Sequence, residues 1–416
     1  METDAQVIIV GAGLAGLRCA IELQRHDIQA KVFEATDRIG GRVQTELFEG
    51  FRLDKGFQVL LTAYDECRSL LNYDSLRLGA FEPGALIWTG SKMEKVIDPW
   101  RRPKQLFRAA MSPIGTLRDK LRVGGLREKL RRTPLSEIYE GNETSTLNRL
   151  KEIGFSEAFI ESFFRPFYGG IFLEDELETG HKMFEFVFKM FGQGFAALPH
   201  DGMDAIPAQM SEQLNPDAIH LNQRVAKLGK NEIVLESGTQ HTARHVVLAT
   251  DMGSASSLIK AEVSDRGWND TYCHYYAAPR SPLPEPLIAL NGSGNGNITN
   301  IAVPTDVNPG YSASGESLIC VSTSKSVPQQ DLTAELYSWF GNATHDFRFL
   351  KSYAIPHALP RQSPGDNAYG GASLRTDASV WICGDHRYSS SIQGTLASGR
   401  MVGEALVKTF SKTVAQ

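Results

Sequence analysis

The chain has 416 residues, 42% hydrophobic and 22% charged, with a net charge of −5. That length suits about two to three ordinary domains with a sizeable core, and so small a charge excludes nucleic acid as a partner. The five cysteines (Cys19, Cys67, Cys273, Cys320, Cys383) never form a C-x-x-C pair, which excludes a zinc site or redox dithiol and fits free thiols in a reducing compartment.

The opening Met1-Glu2-Thr3-Asp4 has neither a basic n-region nor a cleavage site, and the chain holds no run of 18 apolar residues. A cytoplasmic protein is expected, with attachment to a membrane surface left open. Gln6 to Val10 reads as a strand buried on both faces. Gly11-Ala12-Gly13-Leu14-Ala15-Gly16 follows, then a helical period with Leu17, Cys19 to Ile21 and Leu23 inward, then a second strand, Ala30 to Phe33, ending at Glu34. In such a unit Gly11 permits the turn, Gly13 lets backbone approach a pyrophosphate, and Gly16 lets the helix meet the sheet. The helix N-terminus faces the phosphates and the acid accepts from ribose hydroxyls, which disfavours a 2′-phosphate.

Arg38-Ile39-Gly40-Gly41-Arg42 supplies a second glycine turn suited to an anion. Gly50 to Leu60 follows, in which Gly56 permits a close backbone approach. Residues 65–190 read as mostly helical. Lys92 to Arg132 carries thirteen basic residues against four acids, with Trp100, Leu106, Phe107, Met111, Ile114 and Leu117 interleaved. A basic, apolar-bearing stretch of this kind is either a solvated face or a dock for an anionic membrane. Two aromatic runs, Phe163 to Phe172 and Phe184 to Phe191, read as core or as the lining of an apolar tunnel.

Residues 255–350 read as mostly strands. Asn291 to Asn297 is glycine-rich, but a strand-like segment follows it, so it is a turn rather than a second nucleotide site. Ser379 to Cys383 reads as a strand, followed by Gly384-Asp385, a loop, and a helix running from Gln393 to about Phe410.

Three stretches together, Glu34-Ala35-x-x-Arg38-x-Gly40-Gly41-Arg42, Gly50 to Leu60, and Gly384-Asp385 with Gln393-Gly394-Thr395-Leu396-Ala397-Ser398-Gly399, resemble the flavin-containing amine oxidase, phytoene desaturase and protoporphyrinogen oxidase superfamily. His220 to Val225 and Val246 to Thr250 are similar to two further segments of it. The resemblance implies an α/β fold: a Rossmann-like FAD-binding domain of the glutathione-reductase type (1–64, 196–254 and 368–416) with an interleaved α+β substrate domain (65–195 and 255–367). It implies non-covalent FAD held by Gly11, Gly13, Leu14, Ala15, Gly16, Glu34, Ala35, Arg38, Gly40, Gly41, Arg42, Gly56, Phe57, Gln58, Val225, Ala249, Thr250, Gly384, Asp385, Ile392, Gln393 and Thr395. In this resemblance Asp385 meets the ribityl chain, Val225 the adenine, and the Ile392 N–H the flavin O2. No metal is implied.

The sequence carries no second fingerprint for NAD(P)H, so oxygen or a quinone is the expected electron acceptor. Ser391 stands where one aromatic of the amine oxidases would fall, and no lysine between Leu287 and Ser324 matches theirs. The expected reaction is hydride transfer to flavin N5 from a lipophilic isoprenoid, carotenoid or tetrapyrrole-like substrate. Oxidation of an amine or amino acid with peroxide release, and a non-redox flavin isomerase or binding module, are the alternatives. Candidate pocket residues are Phe57, Tyr168, Tyr276, His386 and Tyr388.

Overall fold

The computed structural model describes residues 4–414 apart from 103, 105–110, 230, 260–265, 367–368, 370–373 and 376–379. The first strand, β1 (Ala5–Val10), runs into helix α1 (Leu14–Gln24) and strand β2 (Ala30–Phe33). A hairpin of β3 (Thr45–Phe48) and β4 (Phe51–Asp54) follows. Then come β5 (Gly84–Trp88), β6 (Met93–Ile97), and helices α2 (Leu117–Arg132), α3 (Arg165–Phe172) and α4 (His181–Gln193). The chain returns through β7 (Ile219–His220), β8 (Val225–Gly229), β9 (Glu232–Leu235) and β10 (Gln240–Leu248). It leaves again as β11 (Trp268–Ala278), β12 (Ile288–Asn291), β13 (Ile298–Ala302), β14 (Ser317–Thr323), α5 (Gln329–Phe340) and β15 (Arg348–Pro360), and ends with β16 (Trp381–Ile382) and α6 (Ile392–Val414).

Two seven-stranded sheets organise these elements. In the first, β7, β2, β1, β10 and β16 are parallel, and β9 and β8 add an antiparallel edge to the start of β10. Val7, Ile8 and Ile9 are fully buried, as a strand covered on both faces requires. The second sheet runs β15-β11-β14-β13-β12-β5-β6, antiparallel except for β12 beside β5. The reading of residues 65–190 as mostly helical needs one exception: β5 and β6 belong to the second sheet. Their apolar run Gly84–Trp88 was short enough to fit either element, and pairing with β12 decides it. The glycine-rich turn between β12 and β13 is as expected, with Glu335 accepting from Asn297 N and Ile298 N. Of the closing strand, Ser379 lies outside the described residues and Trp381–Ile382 is formed.

Helix α6 closes the first layer against α1. A Cβ at Gly399 would lie 2.3 Å from Ala15 O, and one at Gly403 2.7 Å from Glu22 Cβ, so glycines one turn apart set the approach of the two helices. Around this contact Arg18 pairs with Glu22 at 2.7 Å, and Arg400 with Glu66 and Glu404 at 2.8 Å each.

The hairpin is pinned to the substrate sheet through Asp54. Its carboxylate accepts from Thr45 Oγ1 (2.6 Å), Tyr311 Oη (2.6 Å) and Met203 N (3.0 Å), while its carbonyl accepts from Tyr275 Oη (2.7 Å). Burial pushes the carboxyl up to about 6, against the pull of those donors. Because the folded value lies above the unfolded one, this residue's contribution to stability is full at low pH and declines as pH rises from about 4 to about 6. Asp54→Asn keeps an acceptor for Thr45 and Met203 and can donate to Tyr311. Urea denaturation across that interval is expected to show the wild type losing stability relative to Asp54→Asn as pH rises. Asp54→Ala leaves the donors stranded beside a cavity and is expected to lose about 2–4 kcal/mol.

Candidate functional site

The site begins where the two glycine turns meet. Gly11 has φ +106°, and a Cβ on it would sit 2.8 Å from Ala249 O; one on Gly16 would sit 2.0 Å from Gly11 O. The second turn docks on the first: Gly40 N donates to Ala12 O at 2.9 Å, and a Cβ on Gly41 would come within 3.3 Å of Gly13 Cα. Gly13 has no neighbour within 4 Å of where a Cβ would stand, and as N-cap of α1 it offers no side-chain acceptor. The first-turn N–H groups thus face an open cleft with the positive end of the helix dipole behind them, a fit for a pyrophosphate. Glu34 closes the turn by accepting from Ala12 N through Oε2 and from Thr36 N and Oγ1 through Oε1, each at 2.9 Å. A carboxylate has further lone pairs for a ribose.

Arg42 joins this end to the chain's last segment. Its guanidinium donates to Asp385 Oδ2 at 2.7 Å and to Ala358 O at 3.0 Å and stands over the Trp268 ring. Asp385 is buried and its charge is compensated by Arg42. Gly384 N donates to Ser398 Oγ at 3.1 Å, fixing the strand-to-helix turn on α6 itself. Ser391, placed by sequence where an amine oxidase has an aromatic, caps α6: its Oγ accepts from Gly394 N at 3.0 Å, leaving the N–H groups of Ile392 and Gln393 without a partner in the helix ladder.

A single cavity of about 1900 Å³ runs from these turns into the substrate layer. It brings together Gly11, Gly13, Leu14, Ala15, Glu34, Ala35, Gly40, Gly41, Arg42, Gly56, Phe57, Gln58, Val225, Ala249, Thr250, Gly384, Asp385, Ile392, Thr395 and Tyr168. Six expected residues lie off its wall. Gly16 serves the helix contact. Arg38 is at the surface beside Asp37. Gln393 turns away, its Oε1 accepting from Glu66 N. Tyr276 belongs to the apolar cluster on the other face of the substrate sheet, where its hydroxyl accepts from Gln329. Strand alternation is the reason: Tyr275, next to it, faces the cavity side. Tyr388 stands edge-on to Tyr139. His386 is buried against Gly384 with neither ring nitrogen partnered among the described residues, and burial lowers it to about 4, so the ring is neutral near pH 7.

Beyond the cofactor end the walls are Phe81, Phe159, Phe163, Phe167, Ile171, Phe188, Phe191 and Leu290, with Thr271, Asn300 and Tyr168 as polar points. Sequence reasoning missed Thr271, Asn300 and Ile355, which strands far apart in the chain bring to the cavity. Charged side chains along this part have partners in the protein: Glu82 and Asp98 pair with Arg102 and Arg127, while Lys55, Arg101 and Lys120 donate to Gln44 Oε1, Gly194 O and Ser112 O. Substituting Glu34→Ala removes the acceptor that holds the first turn. FAD affinity, read from flavin fluorescence quenching on titrating the apoprotein, is expected to fall roughly tenfold to hundredfold.

Residues 14–407 match the family model described as flavin containing amine oxidoreductase. The chain is 26% identical over 336 residues to a carotenoid phi-ring synthase of Streptomyces griseus, covering 71% of this chain and 64% of that protein. It is 26% identical over 276 residues to an L-amino-acid oxidase of Crotalus adamanteus, covering 61% and 49%; the match thus spans about half to two thirds of these relatives. Cyclohexylamine oxidase of Brevibacterium oxydans shares the fold at a TM-score of 0.71 and 18% identity, over 98% of this chain and 100% of that one. With the paired glycine turns, the acid after β2 and the closing Gly-Asp turn at one cavity, the chain belongs to the family of flavin-containing amine oxidoreductases.

Proposed function

We propose that this enzyme oxidises or desaturates a large apolar substrate, taken up from a membrane surface, with FAD bound non-covalently as the hydride acceptor and oxygen or a quinone as the final oxidant. The observation that carries the reading is the cavity. Its volume of about 1900 Å³ takes in both the cofactor end and the space beyond it, and the part beyond the cofactor end is walled by aromatic and aliphatic side chains. An amine would bring an ammonium into this wall, where the carboxylates Glu82 and Asp98 are already paired with Arg102 and Arg127; burying an unpaired charge is costly. The first relative named above is a carotenoid enzyme, which supports the same substrate class. Bound flavin supplies a hydride acceptor at N5, and the chain's own walls position the reacting C–H and exclude water.

The cavity's outer end supports membrane uptake. Of the eight large hydrophobic side chains that stand out into solvent among the described residues, four line the cavity: Trp100, Leu117, Leu121 and Phe195, between 42% and 68% exposed. The basic stretch divides into β6, α2 and connections between them, rather than one amphipathic element, and Leu106, Phe107 and Arg108 lie outside the described residues. Helix α2 starts at a capping box, Thr116 with Asp119; burial alone would raise Asp119, but hydrogen bonds from Thr116 and Ser156 hold it down at about 2. It buries Leu126 and Leu130 and leaves Leu117 and Leu121 out. Several cations are neutralised locally, Lys95 by Glu285, Arg127 by Asp98, Arg131 and Arg132 by Glu128. Among the described residues no helix is long and apolar enough to cross a membrane, so contact would be at the surface.

Two measurements test this reading. Anaerobic mixing of the holoenzyme with apolar polyenes, porphyrinogens and amines is expected to bleach the flavin with one of the first two classes; bleaching by amines alone overturns the substrate class. Co-sedimentation with phosphatidylserine-containing vesicles at low salt is expected for the wild type and is expected to drop at least several-fold in Leu117→Asp/Leu121→Asp; vesicles that never retain the wild type rule the membrane route out.

A further inference from the structure

The apolar half of the cavity wall carries one amide that the protein leaves unsatisfied. Asn300, on β13, is 4% exposed, and its Oδ1 has no hydrogen-bond partner among the described residues. Its Nδ2 reaches only Thr299 Oγ1, at 3.4 Å. The side chain lies beside Gly170 of α3, where a Cβ would come within 3.1 Å of Nδ2, and it lines the cavity together with Ile171 and Leu290. Its neighbours along the strand, Ile298, Ile301 and Ala302, are buried and apolar. A buried amide missing a partner destabilises the fold, whereas an aliphatic side chain of similar size would not. The fold alone therefore gives no reason for an asparagine here, and a ligand group in the cavity does.

We propose that Asn300 sets substrate specificity by hydrogen-bonding a hydroxyl carried by an otherwise apolar substrate, and so fixes how far the substrate slides toward the flavin. A hydroxyl both donates and accepts, so it satisfies the amide in either orientation. This inference rests on the apolar-substrate reading above. Its neutral chemistry suits a wall whose carboxylates Glu82 and Asp98 are already paired.

Farnesol and farnesene, an alcohol and a hydrocarbon of similar length, serve as probes, each titrated into oxidised holoenzyme while flavin absorbance is followed. The wild type is expected to bind farnesol about tenfold more tightly than farnesene, as one hydrogen bond in a dry wall provides. In Asn300→Leu that preference is expected to vanish through weaker farnesol binding, with farnesene unchanged or tighter and the melting temperature raised. Asn300→Ala, which adds no bulk, is expected to lose the preference in the same way, and flavin content reports that each variant is folded. A wild type that binds both ligands equally, or a preference that survives in both variants, overturns the role of Asn300 while leaving the apolar-substrate reading intact. Failure of both ligands to bind the wild type overturns that reading, and the role of Asn300 with it.

Discussion

Backbone must touch backbone in this molecule at places where a single methyl group would not fit, and most of the site follows from that. An added carbon on Gly16 would lie 2.0 Å from Gly11 O, one on Gly41 would sit less tightly against Gly13 at 3.3 Å, and one on Gly399 would lie 2.3 Å from Ala15 O. Interiors are packed closely enough that one added carbon at such a contact displaces whole elements. The first two contacts shape an open turn that fits a pyrophosphate, and the third brings helix α6 beside α1. The cofactor site is therefore assembled from segments more than 300 residues apart, held by steric fit before any ligand contributes.

Charge is distributed along the cavity in a way that matches this division. At the cofactor end Arg42 and Asp385 neutralise each other across the two turns, and Glu34 is spent partly on the turn it follows. Farther in, the carboxylates Glu82 and Asp98 are ion-paired and Lys55, Arg101 and Lys120 donate to neutral oxygens, and the rest of the wall is mostly aromatic rings and a few neutral polar atoms. A dry wall strengthens each remaining polar contact, so a single amide there can discriminate between substrates. The Asp54 cluster plays a different part: its donors come from the hairpin, the substrate sheet and the loop at Met203, so it locks the two layers in register beside Gly56.

The basic stretch shows how charge counted along a sequence differs from charge in space. Its thirteen cations suggest a strong positive face, yet Glu82, Asp98, Glu128 and Glu285 arrive from inside and outside the stretch to offset many of them. What distinguishes this part of the cavity is its exposed apolar side chains; of these, Trp100 and Leu117 were visible in the sequence as interleaved hydrophobics, whereas Leu121 and Phe195 were not singled out.

The sequence by itself determined the parts whose geometry is local: the strand–glycine turn–helix unit at 7–24, the acid after β2, the second glycine turn at 40–42 and the closing Gly384-Asp385. Each is marked by residue types whose backbone conformation is decided locally, glycines above all, in a spacing that the strand–turn–helix unit requires. It also marked Phe57 and Tyr168 for the cavity. Only the tertiary structure decided that Tyr276 faces the far side of its sheet, that Gln393 turns to Glu66, that Ser391 caps α6, and that Thr271 and Asn300 reach the cavity at all. Those outcomes depend on strand register and on which distant segment packs alongside, and neither is encoded in the spacing of residues along one stretch of chain.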